Sequence, residues 1–346
     1  MQRICSCLAQ NGYNVLLIGR KLKSSEPLQN QLFEQKRLYC FFEKGVLFYV
    51  EYNVRLFFYL LFLKKADIVC AIDLDTILPV LFNSYIKATQ KVYDAHELFT
   101  EQKEIKLRPF IYKCWKLIER FSVPQFKKGY TVNHFIKTEF DNLYGNKYSV
   151  IRNVPEYYNL PTIKNKEEKY FIYQGAVNEG RGFETLIPAM KMVNAPLRIC
   201  GIGNYFEKAK ELAQLHQLTN KVIFDGAILP EKLRTISTNA YAGIMIFEDF
   251  GLNQVQSLAN RFFDYIMAGI PQVCINFPEY KKINDQYNIA LLIDDIKEES
   301  IAIAMNKLLT DTVLYSTLKA NCLKARAELN WSFEQQELIT FYNSLE

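Results

Sequence analysis

Short runs of Val, Ile and aromatic residues recur along this chain, each closed by a turn residue and followed by a longer helical pattern. In the first half they are NVLLIG (14–19), ADIVCAID (66–73), QKVYDA (90–95), GYTVN (129–133) and YSVIRN (148–153). Strands of this kind, separated by helix-length segments, predict parallel sheets with helical crossovers. Between the first two runs, LFYVEYNVRLFFYLLFLKK (47–65) is mostly apolar and longer than a strand. It predicts a largely buried helix that ends at Lys64 and Lys65, where basic residues suit a helix C-terminus.

After RNVPEYYNLPTIKNKEEK (152–169), with two prolines and a polar, charged tail, the pattern restarts as YFIYQG (170–175), PLRICG (196–201), KVIFDG (221–226), AGIMIF (242–247) and PQVCI (271–275). That segment is the natural linker between two α/β domains. Open parallel sheets place ligands at the carboxyl ends of their strands, so two such domains predict a cleft lined from both sides. The closing stretch SFEQQELITFYNSL, from Ser332, reads as a helix with Ser332 as N-cap and Gln335 at the capping-box spacing.

Length and composition fit this picture. The 346 residues allow two full cores, and 49% hydrophobic with 23% charged residues is the balance of a folded chain, not a disordered one. The longest apolar run, RLFFYLLFL (55–63), is shorter than a bilayer requires, so no transmembrane helix is expected, and the first residues lack a signal-peptide pattern. The eight cysteines, at 5, 7, 40, 70, 114, 200, 274 and 322, show no paired CxxC spacing, and six lie in apolar surroundings; free thiols in a reducing cytoplasm are expected, without a disulfide framework or zinc site. Residues 1–155 hold 23 Lys and Arg against 14 Asp and Glu, a surplus of nine, while the remainder is net negative. A basic first half suits an anionic membrane surface or charged acceptor, and ordinary surface lysine explains it as well. No nucleic-acid-binding module accompanies it.

Three stretches carry candidate chemistry. VYDAHELFTE places His96 between Asp94 and Glu97 directly after a strand, where it is either a working group or a packed strand end. YFIYQGAVNEGRGFETLIPAM reads as strand, glycine-rich turn and helix: Gly175, Gly180 and Gly182 would let backbone approach a phosphate, and Arg181 adds charge, although the same glycines could simply make turns. It is neither a Walker loop nor a GxGxxG fingerprint, and the GIG at 201–203 has no third glycine, which argues against a nicotinamide dinucleotide. In NQVQSLANRFFDYIMAGIP (253–271) a loop leads into a helix from about Asn260. Asp264 lies one turn in, able to reach ribose hydroxyls or simply to sit in solvent.

Taken in order, ADIVCAIDLDTILP, VYDAHELFTE, GYTVN, VIRNVP, YQGAVNEGRGFETLI and SLANRFFDYIMAGIP resemble the family 4 glycosyltransferases of the GT-B fold, in particular a bacterial branch associated with surface polysaccharides. The resemblance covers nearly the whole chain. It implies an α/β GT-B architecture of two Rossmann-like domains with parallel sheets facing across a cleft: an acceptor-side domain at 1–155, a nucleotide-sugar domain at 156–330, and a C-terminal helix at 331–346 packing back on the first domain. It further implies retaining, hexosyltransferase-like transfer from a nucleotide-diphosphate sugar, with neither metal nor cofactor, to a glycan or lipid-linked acceptor in cell-surface polysaccharide synthesis. The expected setting is cytoplasmic, peripheral on the inner face of the cell membrane.

By position, the resemblance puts His96 against the donor sugar and Arg181 against the diphosphate. It puts Gly175, Asn178, Gly180, Gly182, Ser257, Leu258, Asn260, Arg261 and Asp264 around the donor, with Asp94 and Glu97 orienting His96. Departures from the family pattern are Ala176 where a second basic residue is common, and Gln256 and Asp264 where two glutamates are common. The family's first strand and its turn are also lacking, so that the chain begins at the first helix and Met1 reads as an internal methionine. These departures keep open a catalytically silent binding protein of the same fold. A sugar-nucleotide epimerase is the remaining alternative.

Overall fold

The computed structural model describes residues 1–161, 169–249 and 251–345. The chain divides into two compact units, Met1–Arg152 with Glu334–Glu346, and Asn153–Phe333. Among the described residues all strand pairing is parallel.

The first unit holds β1 (Leu16–Lys21), β2 (Glu34–Tyr39), β3 (Ile68–Ile72), β4 (Gln90–Ala95), β5 (Lys128–Thr131) and β6 (Ser149–Val150). They form two sheets, β1 with β2 and β3-β4-β5-β6 in that order. The strand pattern did not reveal β2. Its sequence EQKRLY is mostly polar because it is an edge strand with only Leu38 buried. Helix α1 (Gln2–Gln10) precedes β1, α2 (Gly45–Phe62) follows β2, and α3 (Ile77–Lys87) lies between β3 and β4.

Helix α2 overturns the expectation of a largely buried helix. Only Tyr52, Leu56 and Leu60, one face at a spacing of four, are buried. The helix lies on the outside of the sheet and offers a single face to the core. Its length was expected, although it ends at Phe62 rather than at Lys64 and Lys65; among the described residues it is the one helix long and apolar enough, by length and composition, to cross a membrane, which the nine-residue apolar run taken alone did not suggest.

The end of the chain is fastened to the first unit. Glu334 Oε1 and Oε2 accept from Arg152 Nε (2.6 Å) and its backbone N–H (2.8 Å), and Phe341 packs edge-on against Tyr130 at 5.3 Å. The helix carrying these residues starts at Trp331, one residue before the predicted cap. Asn330 Oδ1, not Ser332, accepts the first-turn bond, from the Ser332 N–H at 2.9 Å.

The second unit has one six-stranded sheet: β7 (Phe171–Gln174), β8 (Leu197–Cys200), β9 (Val222–Gly226), β10 (Ala242–Met245), β11 (Gln272–Ile275) and β12 (Ala290–Ile293), in the order β12-β11-β10-β7-β8-β9. The chain starts in the middle, builds outward to β9, then crosses to β10 on the other side of β7. This reversal makes the carboxyl ends of β7 and β10 the point where an open sheet leaves a crevice for a ligand. The two strands pair at only two positions, Ala242 with Phe171 and Gly243 with Ile172. Beyond them the Tyr265 hydroxyl bridges the strands, donating to Ile172 O (3.1 Å) or Ile244 O (3.3 Å) and accepting from Gln174 N–H (3.1 Å). Gly243 makes room for that ring: a Cβ there would lie 2.4 Å from it.

Candidate functional site

Apart from His96, every group predicted to contact the donor lies in the second unit, and most cluster at this switch point. Gly175 follows β7 with φ +118°, and its N–H donates to Cys200 O at 2.9 Å. Gly201, at the end of β8, comes so close that a Cβ would stand 1.8 Å from Gly175 O. Two loops therefore pass backbone against backbone. Asn178 Oδ1 accepts from the Asn204 N–H (3.0 Å) and Asn204 Oδ1 from the Glu179 N–H (3.1 Å), a reciprocal clasp that commits the Asn178 carbonyl to holding the loops together. Gly180 and Gly182 have positive φ, +79° and +74°. The carbonyl of Gly180 receives the Glu248 N–H (3.1 Å) and Gln254 Nε2 (2.7 Å), which joins the glycine turn to the segment after β10.

Part of that segment, expected as loop, forms a short helix at Leu252–Val255. Ser257 Oγ donates to Gln254 O at 2.8 Å, Leu258 packs against the core, and Asn260 is exposed at the start of the helix Asn260–Met267. Asp264 is half-buried rather than solvated. Its Oδ2 accepts from Gln174 Nε2 (3.0 Å), whose Oε1 accepts from Ser237 Oγ (2.6 Å), so the carboxylate stands beside the last residue of β7.

Arg181 and Arg261 meet at one ring. Their guanidiniums lie 4.4 Å and 4.5 Å from the centroid of Phe247, just after β10, and Arg261 also covers Tyr173 at 4.4 Å. Arg261 is only 7% exposed. Nε donates to Met245 Sδ (3.1 Å) and one Nη to Ile246 O (3.1 Å), with no carboxylate among its partners in the described residues. Its other guanidinium nitrogen, Nη1, is 3.9 Å from where a Gly175 Cβ would sit. A buried cation is normally paired. This one is held by aromatic faces and a carbonyl, with Nη1 beside Gly175 of the glycine turn. The resemblance put Arg261 around the donor; its burial was not legible in the sequence.

In the first unit His96 follows β4. Its Nε2 is 3.2 Å from Oδ1 of Asp94, which is fully buried; the separation is that of an ion pair, with an approach too oblique for a hydrogen bond. Asp73, at the end of the neighbouring strand β3, completes the group. Its Oδ1 accepts from the His96 N–H (2.9 Å), its own N–H donates to Asp94 O (2.9 Å), and its φ is +53°, a strained conformation that these two bonds maintain. In the sequence Asp73 shows only as the residue that closes ADIVCAID; the parallel register, which pairs Ile72 with Asp94, is what brings it to His96. Burial pushes the Asp73 carboxyl up to about 7, against the pull of His96, and pushes Asp75 up to about 6. For His96 burial opposes the charged form, but the contact with Asp94 and the charges of Asp94 and Asp73 outweigh it and raise the imidazole above its ordinary value. Glu97 accepts from Gln102 Nε2.

Residues 161–325 match the family described as Glycosyl transferases group 1, so the second unit carries a domain of that group. Among solved structures, sucrose-phosphate synthase from Thermosynechococcus elongatus superposes with a TM-score of 0.74 at 16% identity, over 99% of this chain and 92% of that one. WaaG, a glycosyltransferase involved in lipopolysaccharide biosynthesis, gives 0.72 at 16%, over 98% and 94%. Anabaena HepE in complex with UDP-glucose gives 0.70 at 13%, over 90% and 86%. The fold is GT-B, with two Rossmann-like units. No curated protein sequence matches the chain.

Proposed function

We propose that the chain is a retaining, metal-independent glycosyltransferase of family 4 that moves a hexosyl group from a nucleotide-diphosphate sugar to a glycan or lipid-linked acceptor in surface-polysaccharide synthesis, on the cytoplasmic face of the membrane. One observation carries the reading: Arg261, buried with no acid among its partners in the described residues, has its guanidinium beside Gly175 in the glycine turn of the switch point. The neighbours solved with UDP and with UDP-glucose support the same class of donor.

In this reading the glycine turn admits the diphosphate to backbone contact, and Arg181 and Arg261 neutralise it. Their positive charge is worth most as the bond from the anomeric carbon to the phosphate oxygen breaks and negative charge grows on the leaving group. The acceptor hydroxyl attacks from the leaving-group face, forms the new bond to the anomeric carbon, and gives its proton to the departing diphosphate. No enzymic nucleophile is required. Asp94, fully buried beneath His96, is out of reach for that role. It holds the imidazole, which hydrogen-bonds a sugar or acceptor hydroxyl. In the same reading Asp264, which accepts from Gln174, holds the ribose hydroxyls.

Incubation of the purified protein with UDP-, GDP- and ADP-sugars tests the reading. Slow release of the nucleoside diphosphate from one donor, undiminished by EDTA, is expected. A protein that binds a donor without ever cleaving it, with or without acceptor glycolipid, is a silent binding protein.

A further inference from the structure

Helix α2 bears a continuous apolar stripe that is open to solvent. Val46, Val50, Val54, Phe58 and Phe62 recur at every fourth residue and are 49–82% exposed. At 1.5 Å per residue the stripe runs about 24 Å, the length of the helix. The opposite side is fixed to the protein: Tyr52, Leu56 and Leu60 are buried, Asn53 Nδ2 donates to Asp75 O at 2.9 Å, and Lys87 Nζ donates to Leu60 O at 2.8 Å. A helix docked along one face cannot cross a bilayer as a separate span, but it can lie in the bilayer's surface.

The far half of the stripe borders a cavity of about 500 Å³ between α2 and the edge strand β2, lined by Leu38, Tyr39, Val54, Arg55, Phe58 and Phe62 among others. That volume is within the roughly 300–1,000 Å³ of small-ligand clefts. The lining is apolar apart from Arg55, which pairs with Glu51 at 2.7 Å, and two phenols. Cations stand at its edge: Lys36, 5.9 Å from the Tyr59 ring, and exposed Lys64 and Lys65 directly beyond the helix. The neighbouring helix Pro109–Ser122, joined to α2 through the Tyr49 and Trp115 rings at 5.2 Å, repeats the arrangement, exposing Phe110, Leu117 and Phe121 alongside Lys113 and Arg120.

We propose that α2 is the element by which this protein lies on an anionic lipid leaflet: the stripe enters the headgroup boundary, and the cavity takes one acyl chain whose phosphate meets Lys36, Lys64 and Lys65. Apolar area and positive charge on one face are the two attractions that together hold a peripheral protein on such a surface. A second copy of the chain would bring the same cations against these, so charge favours lipid over self-association. The inference extends the membrane partner of the proposed function, and its test involves no sugar transfer.

Vesicle sedimentation of the full chain, with phosphatidylcholine alone and with phosphatidylcholine–phosphatidylglycerol, tests the stripe. The protein is expected to sediment with the anionic vesicles and less with the neutral ones. The double variant Phe58→Glu, Phe62→Glu, changed at exposed positions and checked for an unaltered melting curve, is expected to lose about tenfold or more in partitioning. Dodecyl phosphate titrated calorimetrically tests the cavity: one equivalent should bind, about tenfold more tightly than decyl phosphate, and Val54→Trp should abolish it. Absence of vesicle binding, equal binding by the double variant, or a dimer that dissociates in that variant without vesicle binding overturns the proposal. Undiminished dodecyl phosphate binding by Val54→Trp overturns its acyl-chain part. Donor cleavage that persists in the double variant separates this outcome from failure of the transferase reading.

Discussion

The guanidinium of Arg261 lies 4.4 Å from the centre of the Tyr173 ring, two residues before the glycine turn. Burial of a cation without a carboxylate costs several kcal/mol, and aromatic faces return about 2 kcal/mol of it. In the proposed function the anion this charge meets is the donor diphosphate. Arg326 is buried to a similar degree, but its guanidinium is committed to the carbonyls of Met267 and Tyr158, so it serves as scaffold.

That contrast predicts a trade-off. Arg261→Met, which fills the same space without charge, should leave the melting temperature unchanged or raise it, while the affinity for nucleoside diphosphate falls about tenfold or more, the equivalent of losing one charge-assisted hydrogen bond. Thermal unfolding and calorimetry on one preparation provide both readings. A variant that unfolds and loses binding together would mean that the arginine is structural.

The carboxylate–imidazole group predicts how stability varies with pH. The Asp73 carboxyl has a folded value of about 7 against an ordinary 3.8, so the folded state holds its proton more firmly between those limits and stability falls as pH rises from about 4 to 7. His96 is raised above 6.5, so its contribution is complete below that value and is lost as pH rises through the folded value. The two shifts act in the same direction. Melting temperature should therefore fall between pH 5 and pH 8, and Asp73→Asn, which can still accept the His96 N–H, should reduce that fall. An unchanged slope in the variant would contradict this assignment.

Gly201 should tolerate no side chain. At φ +155° and with a Cβ position 1.8 Å from Gly175 O, Gly201→Ala must push the two loops apart. Denaturant unfolding should show a loss of about 2 kcal/mol or more, and donor affinity should fall with it because the glycine turn moves. Gly12→Ala is the control. It also has positive φ, +91°, but nothing within 4 Å of a Cβ, so its cost is the backbone strain alone.

How much of this was legible in the sequence depends on what each residue touches. Strands buried on both faces, such as FIYQ and QVCI, announce themselves by composition, whereas β2 does not, because an edge strand can be polar. Helix α2 misled for the opposite reason: apolar composition was read as burial, yet half of that surface faces solvent. The glycines of the turn were visible as residues, but their purpose depends on Gly201, a neighbour only through strand pairing. Ser332 had the right spacing for a cap, and Asn330, two residues earlier, took the position. The ring that unites Arg181 and Arg261 belongs to Phe247, which no motif marks.

The account stands on recognition of a diphosphate at the switch point of the second unit. Isothermal titration of UDP, GDP and ADP against their nucleosides, with wild type and the Arg181→Met, Arg261→Met variant, measures it directly. At least one diphosphate is expected to bind about a hundredfold more tightly than its nucleoside, a difference of about 2.7 kcal/mol, and the double variant should remove most of that margin. Equal binding of diphosphate and nucleoside, or a margin untouched by loss of both arginines, would contradict the account.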